Sequence, residues 1–136
     1  MRFADLKHRV HEPEFKRIFA LSADKPEQSK EIITEIQKNG ELWGIVDDLE
    51  QIIGVVAFCV KDDIITIKNI ATDEKRQKQG IGRAMISGVI GKYSLSLPVQ
   101  AEADDRAVDF YRKCEFTATE SDKKQGARRW VCKFGF

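Results

Sequence analysis

The chain predicts a mixed α/β (α+β) fold, built on one sheet that holds both antiparallel and parallel pairs. Two observations carry this. Residues 42–71 contain three apolar, β-branched segments separated by short polar turns, so those neighbours run antiparallel. Residues 64–103 then read strand, glycine-containing loop, apolar-striped helix, strand, and without a tight turn this last pair runs parallel through a crossover.

In order along the chain, residues 1–10 fit two readings: Phe3, Leu6 and Val10 suit a helix, and an opening strand suits them too. Pro13 belongs in a first helical turn, and Phe15, Ile18 and Phe19 share one face of the helix that follows. A second helix fits residues 26–39, with Ile32, Ile33 and Ile36 inward and Asn39-Gly40 as the stop. The meander strands are 42–46, 52–60 and 64–71, with turns at 47–51 and 61–63. Gly54, inside a strand, marks a bulge or a close contact. Ile81, Met85, Ile86, Val89 and Ile90 form the stripe of the crossover helix, which Gly91 should end, and residues 95–103 are the next strand. Asp104 or Asp105 can cap a helix that runs to Lys113, with Ala107, Phe110, Tyr111 and Cys114 inward. Strands at 116–120 and 128–134 close the chain around a turn at Lys123-Lys124-Gln125-Gly126.

A length of 136 residues fits one domain, 1–136, with one core. The formal net charge is +1, which gives no bulk electrostatic case for nucleic acid or membrane. The basic residues are local, at 75–78 and 123–129; the second cluster lies beside Trp130, and near-neutrality favours a solvated hairpin there over a nucleic-acid contact. No apolar run approaches the ~20 residues of a membrane span, and the opening MRFADLK lacks the apolar core of a signal peptide. Cys59, Cys114 and Cys132 lack metal-type spacing and read as reduced packing thiols, so a cytoplasmic protein with no metal is expected. His8 and His11 read as surface residues.

Function is concentrated in residues 69–86, NIATDEKRQKQGIGRAMI. A strand that runs through glycines into a helix offers several backbone N–H groups, and the positive end of the helix dipole, to a phosphate. The loop is not a P-loop, which needs GxxxxGK[ST], nor a dinucleotide fingerprint, since Ala84 and Met85 follow the glycine pair. Glycines used for tight packing alone would account for the loop equally well.

The later sequence separates these readings. Gln77-Lys78-Gln79-Gly80-Ile81-Gly82 matches the Q/R-x-x-G-x-G/A loop of the GCN5-related N-acetyltransferases. Asp104, Ala107, Phe110, Tyr111 and Phe116 fall on that family's N-x-x-A-x-x-F-Y-x-x-x-G-F helix, one helix and one strand further on. The chain therefore resembles this family over most of its length. It departs at Asp104, in place of Asn, and at Glu115, in place of Gly at a helix C-cap, where Glu tolerates a left-handed backbone less well. The resemblance implies a mixed, mostly antiparallel sheet of six to seven strands flanked by about four helices. It also implies acetyl transfer from acetyl-CoA to a primary amine of a small molecule or peptide.

The implied cofactor contacts are backbone groups of Ile70, Ala71 and Thr72 for the pantetheine arm, and Gln77, Lys78, Gln79, Gly80, Ile81, Gly82 and Arg83 for the pyrophosphate. An N–H at Ile70 would also polarise the thioester carbonyl, provided the sheet splays there. Arg76 adds positive charge or is simply solvated. Tyr111 is the matched general acid to the departing thiolate. Glu102 and Glu41 are candidates for the base, with neither favoured. Asn69 could orient substrate or water, or satisfy a buried backbone group; Trp43 could line an acceptor pocket or belong to the core. A non-catalytic acyl-CoA-binding or regulatory domain on the same fold is the rival. The chain is short for the family, so the acceptor site is either open or completed by a second subunit of a homodimer.

Overall fold

The β-rich segments come together in one sheet. The structure is a computed structural model that describes the chain except residues 24, 94, 125 and 126 and the side chains of residues 122–124, 127 and 128. Among the described residues the strands are β1 (Arg2–Asp5), β2 (Glu41–Val46), β3 (Ile52–Lys61), β4 (Ile64–Thr72), β5 (Val99–Ala103), β6 (Thr117–Lys124) and β7 (Ala127–Phe134). They pair in the order β1-β2-β3-β4-β5-β7-β6. Each pair is antiparallel except β4 with β5, which is parallel through the crossover helix, as expected. Residues 1–10 resolve to a strand and a short 3-10 turn, because Phe3 pairs with Ile45 at the sheet edge.

Among the described residues four α-helices pack on the two faces: α1 (Pro13–Ala20), α2 (Ser29–Asn39), α3 (Ile81–Lys92) and α4 (Val108–Lys113). On one face Phe15, Ile18 and Phe19 of α1, all fully buried, meet Leu42, Val55 and Ala57. On the other, Met85 and Val89 of α3 meet Ile53, Val56 and Ile65, and Val108 and Tyr111 of α4 join the same core. A Cβ at Gly54 would sit 2.9 Å from Ile81 Cγ2, so this glycine lets α3 approach the sheet closely.

Several element boundaries differ from the sequence reading. The α2 helix begins at Ser29, and residues 26–28 form a 3-10 turn. Gly91 does not end α3, which continues through Lys92; one glycine costs a helix about 1 kcal/mol, too little to stop it here. The strand expected over 95–103 starts at Val99, because Leu95 is left-handed (φ 62°) and Pro98 has no N–H to give a ladder. β6 extends to Lys124, so Lys123 and Lys124 belong to a strand, while the expected turn residues Gln125 and Gly126 lie outside the described residues. His8 and His11 are exposed, and Cys132 is buried.

Candidate functional site

β4 and β5 pair only from Ile65–Val99 to Ile67–Ala101. On its other side β4 stays registered with β3 to Thr72, through a bulge: Phe58 faces Ile67 and Ala57 faces Asn69, which leaves Lys68 as an extra residue. The bulge bends β4 away from β5 and opens a cleft of about 1060 Å³. The cleft reaches Gln77, Gly82 and Tyr111 on the α3–α4 side, and Leu21, Ser22 and Ala23 after α1.

The loop before α3 is braced from below. Asp73, only 8% exposed, accepts from the Lys75 N–H at 3.1 Å and pairs with Arg17 of α1 at 3.1 Å. The Arg17 hydrogen bond is the main reason its carboxyl lies below the usual range, outweighing burial. Arg76 pairs with Asp47 at 3.2 Å, so its charge is spent within the fold. Lys78 (φ 66°) and Gly80 (φ 78°) are both left-handed on the loop that leads into α3. A Cβ at Gly80 would meet nothing within 4 Å, so this glycine serves its backbone angle. Gly82 serves space: a Cβ there would sit 2.8 Å from the Phe110 ring of α4.

Of the residues singled out from sequence, Ile70, Ala71, Thr72, Gln77, Gly82 and Tyr111 line the cleft. Lys78, Gln79 and Gly80 are exposed on the adjoining loop. Ile81 is 1% exposed in the core, so it can offer the cleft only its backbone. The Arg83 guanidinium is drawn to the Lys113 carbonyl at the end of α4.

α4 is fixed at both ends. Asp104 Oδ1 accepts from the N–H groups of Arg106 and Ala107 at 2.9 Å each. Burial works to raise the Asp104 pKa, but these bonds and Arg106 hold it below its ordinary value. The far end closes as a Schellman motif, with Phe116 N–H to Tyr111 O at 3.0 Å and Glu115 N–H to Arg112 O at 2.9 Å. Glu115 is left-handed there (φ 69°). Between these caps Tyr111 is 4% exposed, with the Phe110 and Phe116 rings at 5.2 and 5.3 Å. Burial, reinforced by Cys132 and Cys114, pushes its phenol well above the ordinary value, so Oη carries its proton at neutral pH.

The two carboxylates considered as bases part company. Glu102 lines the cleft, with its side chain 52% exposed and Arg129 at 3.9 Å. Glu41 instead lies 3.6 Å from Lys7 and accepts from Trp43 Nε1 at 3.4 Å. Trp43 stacks on Phe3 at 5.1 Å under Lys92, packed against the α3-side core rather than on the cleft wall. Asn69 lines the cleft and donates to Ser22 Oγ at 3.0 Å, which ties β4 to the end of α1. Sequence reasoning missed Leu21–Ala23, Lys68 and Arg129 as cleft residues. For Lys68 a signal existed: the apolar alternation runs Ile65, Ile67 and then Ile70, a slip of one position.

The family model described as an acetyltransferase (GNAT) domain matches residues 38–118. No curated protein sequence matches the chain. Among solved structures, a GNAT acetyltransferase from Elizabethkingia anophelis with acetyl-CoA bound is 22% identical, covers 97% of this chain and 95% of its own, and superposes with a TM-score of 0.72. A Bacillus subtilis acetyltransferase in complex with CoA is 21% identical over 86% of this chain and 87% of its own, with a TM-score of 0.67. The ribosomal-protein-S18-alanine N-acetyltransferase of Escherichia coli is 18% identical over 97% of this chain and 90% of its own, with a TM-score of 0.75. At these identities the likeness is one of fold.

Proposed function

The chain belongs to the GNAT acetyltransferase family, and on that premise we propose that residues 1–136 form one acetyl-CoA-dependent N-acetyltransferase domain acting on a primary amine of a small molecule or peptide. The observation that carries this reading is the parting of β4 from β5, with a glycine loop at one end of the gap and a protonated tyrosine on its wall.

The residues fit the cofactor. β4 continues beyond its pairing with β5, so main-chain groups of Ile70, Ala71 and Thr72 are available to an extended arm that carries amides. The loop turned by left-handed Lys78 and Gly80 leads into the first turn of α3, where amides from Gln77 to Arg83 would hold a diphosphate. Acetyl-CoA would supply the acetyl group as a thioester, so that transfer exchanges the C–S bond for a C–N bond and releases the sulfur as a thiolate. An N–H at Ile70 would stabilise the charge that builds on the acetyl oxygen. Tyr111 Oη holds the proton that the departing sulfur needs, and burial keeps it there until that sulfur becomes basic. The amine gives up its own proton on the other side, toward Glu102 or water.

Tyr111→Phe tests the assignment. It removes the proton and leaves the ring, so kcat should fall roughly 100-fold or more while acetyl-CoA uptake measured by calorimetry stays close to native. A native rate in Tyr111→Phe removes the general-acid role. Absence of acetyl-CoA uptake overturns the whole reading, and uptake without turnover of any amine turns it toward a non-catalytic acyl-CoA-binding domain.

A further inference from the structure

Taking the acetyltransferase reading as its basis, we infer that the acceptor is an amine carrying an anionic group close to its nitrogen. It enters from the second face of the sheet, with the nitrogen toward Glu102 and the anion toward Lys68 and Arg129. α1 and α2 pack against β2, β3 and β4, whereas α3 and α4 lie on the opposite face. Among the described residues no helix is laid across the second face of β5, β7 and β6.

Strand alternation decides what that open face displays. Ala101 and Ala103 point into the α3–α4 core, so Gln100 and Glu102 emerge on the other side. Cys132 and Trp130 point inward on β7, so Arg129, Val131 and Lys133 emerge beside them. The Gln100 amide donates to Thr66 Oγ1 at 3.1 Å, which ties this face of β5 to β4.

The cleft is lined by Glu102 on β5, Lys68 on β4 and Arg129 on β7, with Asp104 and Arg106 just after β5. Three cations then stand with two carboxylates, and Asp104 is already taken up by Arg106 and by the N–H groups of Arg106 and Ala107. Asn69 lines the cleft and donates one amide N–H to Ser22, which fixes its side chain at the end of α1. The Glu102–Arg129 pair is 3.9 Å long and its carboxylate is half-exposed, so solvent weakens it, and Arg129 has a further contact besides Glu102. A polyamine would add cations where cations already dominate. A zwitterion satisfies both signs.

The test uses acceptor pairs that differ only in a carboxylate: an α-amino acid against its amide, and an acidic dipeptide against its diamide, with spermidine as the cationic control. CoA release is followed with the whole chain. The carboxylated member of each pair should have at least tenfold higher kcat/KM. Lys68→Gln, at an exposed position, should shrink that preference to below threefold, while acetyl-CoA uptake by calorimetry stays the same; Arg129→Gln should act in the same direction. Equal or better turnover of the amides or of spermidine overturns the inference. So does a preference that survives both substitutions, or a chain that takes up acetyl-CoA yet acetylates no carboxylated amine. A chain that takes up no acetyl-CoA brings down this inference together with the reading beneath it.

Discussion

Replacing Glu115 by glycine should stabilise the protein. Glu115 occupies the C′ position of the Schellman motif after α4 at φ 69°, its side chain is exposed, and no ion pair reaches it among the described residues. A left-handed backbone costs a residue with a Cβ roughly 1–2 kcal/mol. Glycine removes that cost but adds freedom to the unfolded chain, worth roughly 0.5–1 kcal/mol in the other direction. The net gain is then about 0.5–1 kcal/mol, which for a chain of 136 residues raises Tm by roughly 2–4 °C. Calorimetry and urea titration of Glu115→Gly should agree on the sign. Glu115→Ala is the control, because alanine keeps the Cβ and loses only the carboxylate; it should change Tm by less than about 1 °C. A gain in Glu115→Ala equal to that in Glu115→Gly would mean that charge, not backbone angle, sets the effect. No gain in Glu115→Gly would refute the strain argument altogether.

Three further outcomes are expected. Gly82→Ala puts a Cβ 2.8 Å from the Phe110 ring and should cost about 1–3 kcal/mol in urea titration, much of it recovered when Phe110→Leu is combined with it. Met85→Ala empties a fully buried position and should cost about 2–5 kcal/mol by the same measurement. Asp73 is held below its unfolded value by Arg17, so its contribution is complete above about pH 4 and is lost as pH falls through the lower folded value. The Tm gap between native protein and Asp73→Asn should therefore be widest near neutral pH and close in acid, and a gap that ignores pH would contradict the pairing.

The strands of the meander and the stripe of α3 were legible because period-two and helical patterns survive burial. The end of α3 was not, because one glycine is too weak a stop, and neither was the start of β5, which follows a left-handed Leu95, a type that gives no turn signal. The glycine loop and the helix face that carries Tyr111 were legible, since backbone approach and a helix face both follow from residue type, while the roles implied for them rest on the family resemblance. The far wall of the cleft could be read only in part: Glu102 was singled out, but Lys68 and Arg129 join it as lining residues only through the sheet order β4-β5-β7, which places the last strand inside the hairpin partner. Arg76 was open in the sequence between a phosphate contact and a solvated cation, and tertiary structure gives it a third place, paired with Asp47.

Lys68 makes the opening of this sheet a matter of chain length. Remove that position and Ile67 and Asn69 become consecutive, opposite Phe58 and Ala57, which are consecutive already. β4 would then run straight, and the zipper it begins with Val99, Gln100 and Ala101 could carry on through Glu102 and Ala103. A single codon deletion should thus seal the gap while leaving every aromatic and every glycine in place. The cleft is written as a surplus of one amino acid between two otherwise matched ribbons.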